Sequence, residues 1–537
     1  MKQTGKISNC KTRILLIPAF SIFLLLFACN TEENTKAGFL TQEQAQANID
    51  AIIANIREPK IPSDTINLIE FSGLSPDAEG TEDFYPFIKL ALEELEKRGG
   101  GWLLFPNTDP LNSWIRYTET YRIEGPIHLK DNSGLILDRS IKLFFPFNPE
   151  KYLISEKGTL TRYEGTTIYS FSPLIYAFDA KNIAIVARGE TGNMPVIDGD
   201  GEKWQRWMWE GELARQDRGL QASYQLLKDV NNQDVPIAQR VYTDPENDYF
   251  RPETMEFFLC ENVLVDGIKI DNSPFWCIKP VFSQSCTFRN LAFDAFAVNN
   301  DGVDPESSNN VLIENIMFAN HDDNVAIKAG RDKEGRDGAI VAGTELENIE
   351  SEYIKDGRIT GPTENVVIRN NLFYGHYAIC IGSEMSGGVR NIYAVDNTSV
   401  KSVNMGVFIK SSRLRGGTVE NVYVNGLELN NVKNEVIAIV PNYDKADESP
   451  YPPTIKNVQI ENVSSNSSKA GVLVHGWYDE PVTNIFLKNI KLKNVETNPL
   501  QVEQSKNVTL ESVTINNQSY NKTINSVDEG EAPPEKI

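Results

Sequence analysis

The sequence predicts an all-β chain wound as a right-handed parallel β-helix, with a helix capping its N-terminal end. A short phrase recurs along the chain at nearly constant spacing, and the stretches between alternate apolar and polar residues. The phrase is a polar residue, Asn, then a β-branched residue. It reads Lys181-Asn182-Ile183, Glu261-Asn262-Val263, Asn309-Asn310-Val311, Glu364-Asn365-Val366 and Arg390-Asn391-Ile392, and continues as Glu420-Asn421-Val422, Lys456-Asn457-Val458, Thr483-Asn484-Ile485 and Lys506-Asn507-Val508. Gln284-Ser285-Cys286-Thr287-Phe288 is a variant that fills the gap between the second and third copies. Asn365 and Asn391 lie 26 residues apart, Asn457 and Asn484 27, and Asn484 and Asn507 23. Such a period, carried by strands of period two, is that of a solenoid: one coil cannot bury its apolar face alone, and stacking makes the core continuous. Asn at each corner tolerates left-handed geometry and can bond to the Asn of the next coil.

At the N-terminus, Lys2, Lys6, Lys11 and Arg13 precede an apolar run from Ile14 to Phe27, interrupted by Pro18. That length and basic flank read as a signal peptide rather than a membrane span. The run ends in Leu26-Phe27-Ala28-Cys29, which resembles the lipobox of bacterial lipoproteins and implies lipidation of Cys29; the alternative is ordinary secretion with an incidental cysteine. Glu32 and Glu33 resemble a surface-export signal, so the expected location is the outer membrane, on its periplasmic face or at the cell surface. The expected division is 1–28 signal, 29–60 tether with a short helix, 61–525 solenoid and 526–537 disordered acidic tail.

Asp83 to Arg98 reads as the amphipathic capping helix, with Phe87, Leu90, Leu92 and Leu95 among its apolar residues; Gly99-Gly100-Gly101 stops it and Trp102 to Pro106 starts a strand. Two stretches break the repeat: Glu202 to Asp248, and Asp332 to Gly361. Long loops on a solenoid commonly shape its binding groove. Trp204, Trp207 and Trp209 in the first either stack on sugar or pack the loop down.

Composition narrows the function. Lys and Arg number 52 against 74 Asp and Glu, a net charge of −22, with no basic stripe to suit nucleic acid. A polyanionic substrate would need a locally basic groove. Cys260, Cys277, Cys286 and Cys380 show no metal-ligand spacing and read as buried thiols, one disulfide being the alternative in an oxidising compartment. The four histidines are too scattered for a zinc site, so neither metal nor cofactor is expected.

The chemistry is concentrated in Asn299-Asn300-Asp301-Gly302-Val303-Asp304-Pro305 and His321-Asp322-Asp323-Asn324. Asp301 and Asp322 are 21 residues apart, close to one coil, so these acids should stack at the roughly 4.8 Å of paired strands. Crowded carboxylates raise one another's proton affinity and suit acid/base cleavage of a glycosidic bond. Neighbours in a strand face opposite ways, so Asp322 and Asp323 can share a cleft only at a bend or bulge.

From about Asn67 onward the chain resembles glycoside hydrolase family 28, the inverting, pectin-degrading polygalacturonase family with a pectin-lyase-like solenoid. The resemblance rests on Gly125-Pro126-Ile127-His128-Leu129-Lys130, Ile197-Asp198-Gly199, Arg251-Pro252, Asn272 to Trp276, and above all Asn300 to Arg331. Gly375-His376 and Gly406-Val407-Phe408-Ile409-Lys410 add to it. It implies that Asp322 is the general acid, that Asp301 and Asp323 position and activate water, that His376 tunes the acid, and that Lys410 contacts a substrate carboxylate. It implies a pectic substrate, a monomer and no metal. Phe408 departs from the family's Arg, and Tyr377 from its second Gly. Either Arg413 or Arg415 restores the charge, or Phe408 stacks on a neutral sugar, as in rhamnogalacturonan. Lys279, Lys328, Arg331, Arg413 and Arg415 are candidates for the basic groove, and the Asp332–Gly361 insertion for blocking one end and making the enzyme exo-acting. The rivals are a calcium-dependent pectate lyase and a non-catalytic surface glycan-binding protein.

Overall fold

The computed structural model describes residues 39–108, 117, 119–209, 220–443 and 448–527. The signal peptide, Cys10, Cys29, Glu32, Glu33 and the tail from 528 lie outside the described residues, as does the side chain of Trp209. From Leu40 onward the chain forms one compact unit, a parallel β-helix whose coils cross three sheets.

The recurring phrase builds the first sheet. Ile183, Val263, Cys286, Val311, Val366, Ile392, Val422, Val458, Ile485 and Val508 follow one another in parallel register and are buried. The variant containing Cys286 therefore occupies a full coil. Ahead of this stack stands the asparagine ladder. Asn391 has φ 58°, donates to Asn365 Oδ1 at 3.1 Å and accepts from Asn421 Nδ2 at 3.2 Å; Asn457, Asn484 and Asn507 continue the chain of amide bonds. Ser285 interrupts it. An Asn side chain can both donate and accept, and it tolerates left-handed backbone, which explains its choice at the other corners. Asn391→Ala removes two ladder bonds and forces Ala into that conformation, so it should cost about 2 kcal/mol by urea denaturation. Asn391→Gly, which keeps the backbone free, should cost less; equal losses would mean that the backbone term is negligible.

The second sheet includes Ile141–Phe144, Val196–Asp198, Lys269–Asp271, Ala292–Ala295 and Met317–Asn320. The third runs through Ile175–Phe178, Met255–Phe258 and Ile278–Val281, then by single bridges at Val303 and Glu306 to Val325–Ile327, Tyr377–Ile381 and Met405–Lys410. This third sheet carries the acidic motifs.

The cap is a helix from Tyr85–Lys97 that buries Ile88, Ala91, Leu92 and Leu95 in the solenoid core, while Leu90 faces solvent. A second helix, Gln42–Asn55, falls in the segment read as a tether with a short helix; it is 14 residues long and packs along the first sheet. Ala45, Ile49 and Ile52 pack with Leu312, Val367, Tyr393 and Tyr423. At the other end the antiparallel strands Ser505–Ile515 and Gln518–Ser526 close the stack, so Ser526 ends a strand.

Both insertions lie over the third sheet. The first holds a helix from Leu220–Asn232. Trp204 and Trp207 are buried in it against Phe147, Tyr152, Phe171 and Tyr249, so they pack the loop and do not meet sugar. The second forms a helix, Asp332–Asp337, and a small antiparallel sheet. A buried charge network pins both, together with the hairpin of Thr159–Tyr163 and Thr166–Ser170. Arg162 meets Glu306 at 2.6 Å and Glu334 at 3.2 Å, and Arg240 meets Glu334 at 2.5 Å. All four cysteines of the described solenoid are free and buried, which answers the disulfide alternative.

Candidate active site

The acidic motifs lie where two coils meet. The bridge between Val303 and Val325 sets a step of 22 residues, which places Asp301 beside Asp323 rather than beside Asp322. Gly302 N donates to Asp323 O at 2.9 Å. A Cβ at Gly302 would stand 2.4 Å from Asn324 O, so only glycine lets the coils approach here. The bend expected at Asp322-Asp323 is present between two strands, and Asn320 holds it: its amide donates to the carbonyls of Asn300, Asp322 and Asp323 at 2.9, 3.1 and 3.0 Å.

A cavity of about 230 Å³ opens above the bend, and Asp301, Asp322, Asp323, Lys328, Arg331, Lys410 and Arg415 line it. Asp323 Oδ2 accepts from Lys410 at 2.8 Å, and Lys328 pairs with Asp301 at 3.2 Å. Asp323 Oδ1 is buried and has no hydrogen-bond partner at normal geometry; the weakly donating Cys380 thiol interacts with the same carboxylate. Burial, then the charge of Asp323, raises Asp322 to about 6. Burial and the neighbouring Asp304 push Asp301 well above the usual carboxylate range, against the pull of Lys328. Asp304 is fully buried, and neither of its carboxyl oxygens has a hydrogen-bond partner among the described residues; burial raises it too. One group in this cluster is thus held protonated near neutrality.

On the surrounding wall, Glu384 sits among Lys328, Arg331 and Arg415 at 3.5, 3.3 and 3.3 Å. Burial alone would raise it, but the three cations hold it below the ordinary range. Arg331 also meets Glu164 at 3.0 Å, and Arg415 meets Asp332 at 2.6 Å.

The profile described as glycosyl hydrolases family 28 matches residues 243–476, which hold the acidic motifs and most of the cavity lining. A hyperthermoactive exopolygalacturonase from Thermotoga maritima is 32% identical, with a TM-score of 0.75, over 90% of this chain and 98% of that one. The chain belongs to glycoside hydrolase family 28. It is a glycoside hydrolase. A probable polygalacturonase of Vitis vinifera is 27% identical over 79% of this chain and 74% of its own length. For a polygalacturonase of Ralstonia nicotianae the identity is 27%, over 65% of this chain and 61% of the relative.

Four residues expected in the family 28 groove lie outside the cavity lining. Lys279 is fully buried, paired with Glu253 at 2.5 Å and Glu256 at 2.8 Å, and donates to Arg162 O. It supports the hairpin and cannot touch substrate. Arg413 clamps Asp479 at 2.7 and 2.9 Å, off the cavity wall, so Arg415 is the one of the pair that lines it. Phe408 is 6% exposed and packs with Tyr377, Cys380, Met405 and Ala438, leaving no face for a sugar. His376 takes the left-handed conformation itself, φ 49°, and its ring lies 4.3 Å from that of His321, outside the cavity lining. Burial, then His321 and Lys433, lowers it to about 4.

Sequence reasoning missed Glu164, Tyr224, Lys228, Trp276, Glu384 and Tyr443, all on the cavity wall. Trp276 precedes the third-sheet strand Ile278–Val281 and Glu384 follows the third-sheet strand Tyr377–Ile381, one coil on either side of the acids, where strand register could have found them. Glu164, Tyr224 and Lys228 come from insertions with no repeat to place them.

Proposed function

We propose that this glycoside hydrolase cleaves galacturonan by inversion, from a chain end. The observation that carries the reading is the pairing of two unlike carboxyls at one bend: Asp322 is raised to about 6, while Lys410 holds Asp323 Oδ2 at 2.8 Å. Asp322 delivers its proton to the glycosidic oxygen as the C1–O bond breaks. Water held by Asp301 and Asp323 attacks C1 from the opposite face, and its proton passes to that pair.

Lys328, Arg331 and Arg415 put cations on the wall, each already paired with an acid, and guanidinium groups suit a uronate carboxylate. That wall offsets the arginine missing at Phe408. With relatives named polygalacturonases, it favours galacturonan over rhamnogalacturonan. The Glu164–Gly165 hairpin tip and the Leu220–Asn232 helix stand at the wall, and Gly165 O accepts from Arg331 N at 3.0 Å. These elements line the cavity and the Asp332–Gly361 insertion does not, so they are the ones suited to stop a chain end.

The test follows digestion of polygalacturonate by proton NMR. Monomeric galacturonate should be the first product and should begin as the β anomer. Initial α anomer would exclude inversion, and a ladder of long oligomers would exclude the exo mode. We also propose that residues 1–28 are a lipoprotein signal and that Cys29 carries the lipid in the outer membrane of a monomeric enzyme, as the Leu26-Phe27-Ala28-Cys29 run suggests. Cys29→Ser should abolish incorporation of labelled palmitate; continued labelling would refute the anchor.

A further inference from the structure

The windings that follow the acids carry an exposed aromatic surface outside the cavity. On the third sheet Val325 pairs with Ile379, Ile379 with Val407, Val407 with Ile437 and Ile437 with Val472. The loop after His475 therefore lies four windings past the acidic bend, about 19 Å along the axis. The loops that follow Lys410, Val440 and His475 meet there. They expose Leu414, Tyr451 and Tyr478, the last two at 46% and 49%.

Arg413 ties these loops together. It is itself buried, its Nε donates to Ser449 O at 2.7 Å, its two other nitrogens hold Asp479, and its guanidinium lies 5.1 Å over the ring of Trp477. Trp477 is buried in turn, and its indole N–H donates to Pro441 O at 2.9 Å. Tyr478 thus stands between two fixed neighbours. Its own hydroxyl has no hydrogen-bond partner, and its ring no aromatic or cationic neighbour, among the described residues. A bare ring on a loop already held in place gives up little freedom when a ligand stacks on it.

A cation stands on the same surface. Arg336, on the helix Asp332–Asp337, lies 3.7 Å from the centroid of Tyr451, and its Nη1 donates to Leu414 O at 2.5 Å and Arg415 O at 3.0 Å. Gly416 lets the loop pass close beneath the pair: a Cβ there would stand 3.1 Å from Tyr451 Cβ and 3.2 Å from Arg336 Cδ. Lys328, Arg331 and Arg415 are each matched by an acid, whereas Arg336 forms no ion pair among the described residues. Its half-buried guanidinium is available to a carboxylate brought from outside.

We propose that Arg336, Tyr451 and Tyr478 form a second binding surface, outside the cavity, for the uronate residues of the polymer that lie beyond the active site. This rests on the galacturonan reading. A cavity of about 230 Å³ is smaller than the roughly 300–1,000 Å³ of an ordinary ligand pocket, so most of a polymer must lie outside it. The hairpin of Thr159–Tyr163 and Thr166–Ser170 docks on the earlier windings, at Glu256 and Glu306, which leaves the later windings for the chain. The surface is continuous with the cavity, since Arg336 holds the carbonyl of Arg415, whose side chain lines it. Tyr478 stacks on a sugar face, and Arg336 receives a carboxylate.

The experiment compares a substrate too short to reach this surface with one that spans it. Initial rates on digalacturonate and hexagalacturonate are measured for wild type, Tyr478→Ala, Tyr478→Phe and Arg336→Gln. Tyr478→Ala and Arg336→Gln should each raise KM for hexagalacturonate by about tenfold, with kcat within about twofold and digalacturonate unaffected, the pattern of lost ground-state binding. Tyr478→Phe keeps the ring and should keep the wild-type KM; a loss equal to that of Tyr478→Ala would overturn the stacking role. Unchanged KM for hexagalacturonate in both Tyr478→Ala and Arg336→Gln, or equal losses on the two substrates, overturns the proposal. Wild-type enzyme that cleaves neither substrate overturns the galacturonan reading, and the proposal falls with it, a result distinct from the others.

Discussion

Replacing Asp322 by Asn should lower kcat on polygalacturonate by about 10³–10⁴-fold and leave trigalacturonate binding within a few-fold of wild type. The amide keeps the shape of the side chain and its bond from Asp323 N, which is 3.1 Å in the native protein. It has no proton to give to a leaving oxygen. Wild-type activity should carry the same signature in its pH dependence. The acid must be protonated to act, and burial beside Asp323 raises Asp322 to about 6. Turnover should therefore be full on the acidic side of that value and fall about tenfold per pH unit above it. The remaining activity of the Asn variant should lack this alkaline limb. A variant that kept both its rate and the limb would move the acid elsewhere, with Asp301, also raised by burial, next in line.

The largest loss of stability is expected away from the acids, at Glu334. This carboxylate receives Arg240 at 2.5 Å, Arg162 at 3.2 Å, and the amide and hydroxyl of Thr167 at 2.9 and 2.6 Å, all in the protein interior. Glu334→Ala leaves Arg240 without its carboxylate and strands part of Arg162, whose Nη2 is already unsatisfied. Removing one member of such a network typically costs about 3–5 kcal/mol, because the remaining charges stay buried. Urea denaturation should show it, and a loss below about 1 kcal/mol would mean that water enters and solvates the arginines. The effect should reach the cavity. The hairpin that ends in Glu164 is held through Arg162 and Thr167, so a loosened wall should admit interior stretches of polymer and yield longer products.

What the sequence disclosed divides along a physical line. The repeat was legible because each coil obeys the same local rule: Asn for the corner, then a β-branched residue for the inner stack. Gly302 and Asn320 were within reach because they lie in or beside the two motifs and act on backbone one coil away, a fixed step of the repeat. The bend at Asp322-Asp323 followed from strand parity alone. Misassignments arose where a side chain's partner lies on another coil or insertion. Lys279 looks like any strand lysine until Glu253 and Glu256, more than 20 residues earlier, are seen to hold it. Phe408 looks like a lost arginine until Tyr377, Cys380 and Ala438 are seen to bury it. Glu164 and Lys228 carry no local signal, since the charge network that docks their insertions is long-range.

The four buried thiols provide a built-in clock. Cys260, Cys277, Cys286 and Cys380 all lie in the interior, and burial raises each above its usual ionisation range, which makes them inert to alkylating reagents while the fold is intact. They sit on several successive windings, Cys380 beside the catalytic bend and Cys260 two windings earlier. In a quasi-one-dimensional stack, neighbouring windings can separate at different times. The order in which these sulfurs become modified under mild denaturant would therefore show, without any engineered label, whether the winding that bears the acids opens before its neighbours or only when they do.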